Sequence, residues 1–223
     1  MLILPESHGD FRRLDGVEQK LKFELLPQGT VFFHQGDSLK MFIFVRKGIA
    51  KVSRISGDGH QMITELLLPG DVCGALCALD RCPYPVSATA VTQVEVAKLE
   101  TAAFHQLAEQ FPELHRCSLE GCGTKVRQQR AMMTSIAMER IPQRLWKLFF
   151  VLAERTAEPT PAGLRVPFPF SRQEIAEMIG ATNETVTRAF TQMKKSGELQ
   201  EGGAFVTMLG VNTLEQLDAL ADS

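Results

Sequence analysis

The sequence predicts an α+β chain in three parts: an N-terminal jelly-roll (a double-stranded β-helix), a long helix, and a small helical module closed by a β-hairpin. Three observations carry this expectation. Short apolar runs alternate with glycine turns over the first hundred or so residues, heptad-spaced positions follow, and two short capped helices then precede a Gly202-Gly203 turn. At 223 residues the chain is comfortable for two domains, each able to bury its own core.

The strand-like runs are Thr30-Val31-Phe32-Phe33, Met41-Phe42-Ile43-Phe44-Val45 and Val94-Glu95-Val96-Ala97. Turns at Gly36-Asp37, Lys47-Gly48, Gly57-Asp58-Gly59 and Gly70-Asp71 punctuate them. Strands at this short, regular spacing predict a sandwich or jelly-roll over residues 1–110. The absence of a βαβ rhythm argues against a nucleotide-dependent dehydrogenase or kinase.

Pro112 can open a helix, because its missing N–H falls where no helical partner exists. The helix is expected to run to about Ile141 and to be stopped by Pro142, giving a middle part over 111–141. Leu119, Cys122, Val126, Gln129, Met133 and Ile136 follow alternating steps of three and four, the a/d seam of a coiled coil. Such a seam has no counterpart elsewhere in the chain. It predicts a parallel homodimer in which the polar Gln129 helps to set register.

The third part, 142–223, begins with a helix rich in Leu145, Trp146, Leu148 and Phe149, followed by a proline-rich connector from Pro159 to Pro169. Ser171-Arg172-Gln173-Glu174 is a capping box, and it opens a short helix that ends at Gly180. Thr182 caps a second helix whose Val186, Ala189, Phe190 and Met193 share one face. The opposite face presents Asn183, Glu184, Thr187, Arg188 and Thr191. Two short helices joined by a tight turn, with the Leu199–Met208 hairpin as a wing, make a winged helix-turn-helix, a module that reads DNA.

The chemistry suits that task. Arg188 can donate two hydrogen bonds to guanine, Glu184 can accept from cytosine N4, and Thr187 can touch a thymine methyl, with Asn183 completing the base-reading face. Ser171, Arg172 and Thr182 are placed for phosphate contacts. Net charge is −2, so attraction to DNA must come from a local basic patch such as Arg172, Arg188, Lys194 and Lys195. The competing reading is a ligand-binding module whose helical domain contacts only protein, which the acidic Glu198 and Glu201 beside the wing would suit. A nucleophile elbow, an HExxH motif and a P-loop are all missing, so an enzyme is not expected. The hydrophobic fraction of 44% is that of a globular protein, no apolar run approaches the roughly 18 residues of a membrane span, and Met1–Pro5 is too short for a signal-peptide core. A cytoplasmic location is expected.

These residues resemble the CRP/FNR regulators from about Leu26 onward. The resemblance rests on Pro27-x-Gly29-Thr30 with Gly36-Asp37, on Gly48 and Pro69-Gly70-Asp71, and above all on Ser171-Arg172-Gln173-Glu174-Ile175-Ala176 with Glu184-Thr185-Val186-Thr187-Arg188. It implies a cyclic-nucleotide-binding-like β-roll, a homodimer on a pseudo-palindromic operator, contact with RNA polymerase, and regulation of transcription, with activation as the expected mode. Glu184, Thr187 and Arg188 are closer to the oxygen-responsive FNR branch than to the cyclic-AMP branch, which implies half-sites nearer TTGAT than TGTGA. Cyclic-AMP binders carry a glutamate shortly after the glycine at 74 and an arginine just before the serine at 87. Here those places hold Ala75 and Val86, which argues against cyclic AMP. The N-terminal cluster cysteines of FNR have no counterparts either.

Five cysteines remain to be explained. Cys73, Cys77 and Cys82 fall in the segment that lines the effector pocket in this family. If Cys73 and Cys77 share a short helix, they face one way, and Cys117 or Cys122 could complete four ligands. Thiolates suit an iron–sulfur cluster or zinc, and a thiol–disulfide switch is a weaker version of the same idea. Cysteine is equally a common small core residue. Haem comes second, with His34, His60, His105 and His115 available but no pair singled out by spacing.

Overall fold

The computed structural model describes residues 9–38, 41–75, 77 and 83–222. It divides into two compact units, one ending at Gln129 and the other beginning at Arg130, inside the long helix.

The first unit opens with a single 3-10 turn (Phe11–Arg13) and a short helix, α1 (Val17–Lys20). Eight strands follow: β1 (Phe23–Leu26), β2 (Val31–Phe33), β3 (Met41–Lys47), β4 (Ala50–Ile55), β5 (Gln61–Leu67), β6 (Val72–Cys73), β7 (Ser87–Ala90) and β8 (Val94–Glu100). They form two antiparallel four-stranded sheets in the orders β1-β8-β3-β6 and β2-β7-β4-β5, the expected jelly-roll. Residues 42–45 form an unbroken apolar run because β3 is buried on both faces. Ile43 and Val45 join Phe33, Val52, Leu67 and Val96 in one core. Phe42 and Phe44 point the other way, into a second core with Phe11, Phe104, Leu114 and Cys117.

After β8 come α2 (Thr101–Gln110) and α3 (Glu113–Met138), followed by α4 (Ile141–Thr156). The long helix therefore ends three residues before the expected Ile141. Pro142 does not stop it but sits in the first turn of α4, where a missing N–H costs nothing. The backbone N–H of Arg140 instead donates to Gln143 Oε1 at 2.8 Å and closes that helix start.

The second unit continues with β9 (Glu158–Thr160), β10 (Gly163–Pro167), α5 (Arg172–Ile179), α6 (Asn183–Lys195), β11 (Leu199–Gly202), β12 (Phe205–Leu209) and α7 (Leu214–Asp222). The proline-rich stretch expected as a connector is in fact a β-hairpin, and it extends the wing into a four-stranded sheet of order β11-β12-β10-β9. Pro159 is tolerated because β9 is the edge strand, and Pro167 because it is the last residue of β10. Phe149, Phe168 and Phe190 pack edge-on or tilted with ring centroids 5.2–6.1 Å apart, so α4, the sheet and α6 share one core. Helix α7, absent from the sequence reading, packs on α4 and buries Leu217 fully. Among the described residues no helix is long and apolar enough to cross a membrane.

Candidate nucleic-acid interface and sensor cavity

Ser171 accepts from the Glu174 N–H at 3.2 Å, and Glu174 Oε2 accepts from the Ser171 N–H at 2.9 Å, the reciprocal capping box expected at the start of α5. Gly180 ends that helix in the left-handed conformation, at φ 63°. Thr182 Oγ1 accepts from the Thr185 N–H at 3.2 Å and starts α6.

On α6, Val186, Phe190 and Met193 are buried, whereas Asn183, Glu184, Thr187, Arg188 and Thr191 are exposed on the opposite face. Thr187 Oγ1 donates to the Asn183 carbonyl at 2.9 Å. The hydroxyl is thus occupied by its own helix, and the methyl group is left for external contact.

Arg172 is placed differently from its expected phosphate role. Its guanidinium lies 3.8 Å above the centroid of the Phe190 ring and is bonded to Glu201 of β11. Lys194 Nζ meets the other Glu201 oxygen at 2.7 Å. One wing carboxylate therefore holds two cations of the helix-turn-helix, and Arg188 and Lys195 are the cations of α6 outside this clasp. Burial is the largest single influence on Glu201 and opposes its ionisation. The bonds from Lys194 and Arg172 together outweigh it and hold the carboxyl below its usual range. Glu201, whose acidity beside the wing suits a protein-contacting module, is a structural clasp within the winged unit.

Of the residues expected in the dimer seam, Leu119 and Met133 are exposed large apolar residues and Val126 is half-buried. Cys122 and Gln129 line a cavity in the first unit, and Ile136 packs against Gly180 in the second.

That cavity, of about 270 Å³, lies between the β-roll and the first half of α3. Phe33, Val52, Val72, Cys73, Ala75, Cys77, Tyr84 and Val86 give it a mostly apolar wall. Tyr84 stacks on Phe33 with ring centroids 3.7 Å apart and donates to the Met41 carbonyl at 2.7 Å; burial pushes its hydroxyl up to about 12. Among the described lining residues the one cation is Lys125, which donates to the Leu66 carbonyl at 2.6 Å and to Asp71 Oδ2 at 2.7 Å. Glu65 lies 3.8 Å from the same ammonium; burial lifts its carboxyl above the usual range, and Lys125 only partly offsets this. Lys125 and Glu65 had no motif to announce them, and Asp71 stood out only as a turn residue of Pro69-Gly70-Asp71.

Cys73 and Cys77 do not share the helical face expected of them. Cys73 ends strand β6 and Gly74 turns the chain after it, so the helical i, i+4 relation with Cys77 does not arise. Burial pushes the Cys73 thiol far up, the Glu65 charge adding to the effect. Cys117 is buried in the Phe104 core, and Cys122 packs against it. Among the described residues Cys73, Cys77, Cys117 and Cys122 form no disulfide, and Cys82 lies outside the described residues. Among the described residues no three potential metal ligands are grouped. His34, His60, His105 and His115 are exposed, and none lines the cavity.

A family model described as a cyclic nucleotide-binding domain matches residues 23–111, and one described as a Crp-like helix-turn-helix domain matches 139–217. The chain belongs to the CRP/FNR family of transcription regulators. It is 29% identical over 194 residues to a global nitrogen regulator of Synechocystis sp., covering 86% of this chain and 84% of that one. Identity to the transcriptional activator protein anr of Pseudomonas aeruginosa is 29% over 184 residues, 82% and 75% of the two chains. Identity to a CRP-like cAMP-activated global regulator of Mycobacterium tuberculosis is 26% over 180 residues, 81% and 80%. The solved structure of FixK2 from Bradyrhizobium japonicum is similar in fold, with a TM-score of 0.72 at 18% identity, covering 90% of this chain and 96% of that one. This CRP/FNR chain is accordingly a DNA-binding regulator with a sensing β-roll and is not an enzyme.

Proposed function

We propose that this regulator acts in the cytoplasm as a homodimer that reads a pseudo-palindromic operator with two copies of α6, under control of a small molecule held in the β-roll cavity. The exposed polar face of α6 carries this reading: Asn183, Glu184, Thr187 and Arg188 stand opposite a fully apolar buried face, at the N-terminal half of the helix. Arg188 reads guanine, Glu184 cytosine and the Thr187 methyl thymine, on half-sites nearer TTGAT than TGTGA. Ser171 and Thr182, both at helix N-termini, serve phosphates, while Arg172 serves the wing instead.

The exposed Leu119 and Met133, with the half-buried Val126 between them, support pairing with a second copy, Met133 being 72% exposed. Activation as the mode of control follows the relatives that are named transcriptional activators, and contact with RNA polymerase is the way such a regulator would exert it. Ala75 and Val86 take the places of a ribose-binding carboxylate and a phosphate-binding arginine, which favours an effector other than cyclic AMP.

The test is selection of duplexes from a random pool by the wild-type protein, followed by anisotropy titrations with Arg188→Ala. Discrimination at one symmetric pair of positions should fall by roughly 1–3 kcal/mol per contact. Unchanged preference in the variant would remove Arg188 from the reading face. Affinity that does not weaken with salt would favour a protein-contacting module instead.

A further inference from the structure

The C-terminal ends of two helices converge on one side chain. Arg144, in the first turns of α4 and only 9% exposed, directs its guanidinium entirely at backbone carbonyls. Nη1 donates to Ile179 at 3.1 Å and Gly180 at 3.2 Å, the end of α5 and the start of the helix-turn-helix turn. Nη2 donates to Ile136 at 2.6 Å and Glu139 at 2.9 Å, and Nε to Glu139 at 3.2 Å, the last turn of α3 and the residue just beyond it. The last carbonyls of a helix have no partner of their own and carry the negative end of its dipole. A planar guanidinium with a rigid fork of donors can serve two such ends at once, whereas an ammonium cannot.

The same two segments also touch directly. A Cβ added to Gly180 would lie 2.8 Å from Ile136 Cδ1, so the turn packs directly on the Ile136 side chain in the last turn of the long helix. Beside this contact, Glu139 accepts from both Ser135 and Lys147, which ties the end of α3 to α4 a second time.

We propose that Arg144 is a positioning residue for DNA recognition: it fixes the helix-turn-helix turn on the last turn of α3, so that any displacement of that turn is handed to α6. Operator binding by a dimer requires two reading helices about one duplex turn apart, roughly 34 Å. Non-specific binding is mainly electrostatic and tolerates a rotated module. Loosening the clamp therefore lowers the preference for operator over unrelated DNA, whereas simple loss of folded protein lowers both affinities together.

The inference rests on operator reading by α6. The wild-type titrations test that reading by themselves, so the two failures are distinguishable. The probes are the duplex that wild-type protein selects from a random pool and a shuffled duplex of the same length. Arg144→Lys and Gly180→Ala are compared with wild type, folding being followed through Trp146, the one tryptophan of the chain and 5% exposed. In both variants the ratio of selected to shuffled affinity should fall at least about tenfold, with shuffled binding per folded molecule little changed. An unchanged ratio, or an equal loss on both duplexes, overturns the proposal. If Arg144→Lys does not fold, Arg144→Gln decides by the same ratio, because its amide can serve one helix end but not both.

Discussion

Lys125 Nζ lies 2.7 Å from Asp71 Oδ2, and this ion pair fastens the long helix to the turn between β5 and β6. Both side chains are largely buried, at 15% and 9% exposure. Asp71 Oδ2 also accepts from the Leu68 N–H at 2.9 Å, so the carboxylate organises the turn that it anchors. Lys125→Met leaves that charge in the interior without its cation. The expected loss is roughly 3 kcal/mol, the lower end of what removing one partner of a buried pair costs. Calorimetry should show the β-roll transition moving down; an unmoved transition would mean the pair is solvated and contributes little.

Glu201 makes the winged unit acid-sensitive. Its carboxyl is held below an ordinary value of 4.5 by Lys194 and Arg172, against the opposing effect of burial. A depressed acid contributes stability above its unfolded value and loses it as pH falls through the lower folded value. Trp146 fluorescence should therefore report weakening of this unit below about pH 4.5, a limb that Glu201→Gln flattens. At neutral pH the same substitution should cost roughly 1 kcal/mol, because all three partners are partly exposed and screened. An acid limb identical in the variant would show that other groups set it.

Gly163 opens β10 at φ 146°, and an added Cβ would fall 2.0 Å from the Met208 carbonyl oxygen. Backbone lies in the way, so no rotamer change can relieve the clash. Gly163→Ala should destabilise the winged unit by on the order of 3 kcal/mol and lower its melting temperature measured through Trp146. Melting within a degree or two of wild type would show that β10 and β12 can separate cheaply.

Cys73 should be a sluggish nucleophile. Its thiol is kept protonated at neutral pH by burial and by the nearby Glu65 charge, and only the thiolate attacks. Alkylation of the native protein at pH 7, read by mass spectrometry, should modify Cys73 far more slowly than in urea. Rapid modification of the folded protein would return a redox role to this site.

The α6 reading face was legible in the sequence because capping residues and apolar spacing are local rules. Ser171 with Glu174, and Val186 with Phe190 and Met193, state the helix boundaries and the buried side without reference to the rest of the chain. The β-roll was legible for the same reason, through its glycine turns. The hairpin at 158–167 was not, since prolines conceal a strand unless it is known to lie at an edge.

The sequence by itself determined the jelly-roll, the long helix, the winged helix-turn-helix and the outward identities of Asn183, Glu184, Thr187 and Arg188. Only the tertiary structure decided which polar residues are spent inside the protein. Arg172 closes on Glu201 and Phe190, Lys125 on Asp71, and Arg144 on the ends of two helices, while Ile136 packs against Gly180. The physical reason is range. Helix caps and apolar periods act over three or four residues, but an ion pair or a carbonyl clamp joins residues 29, 54 or 35 positions apart, and no local pattern records which partner a charge will find.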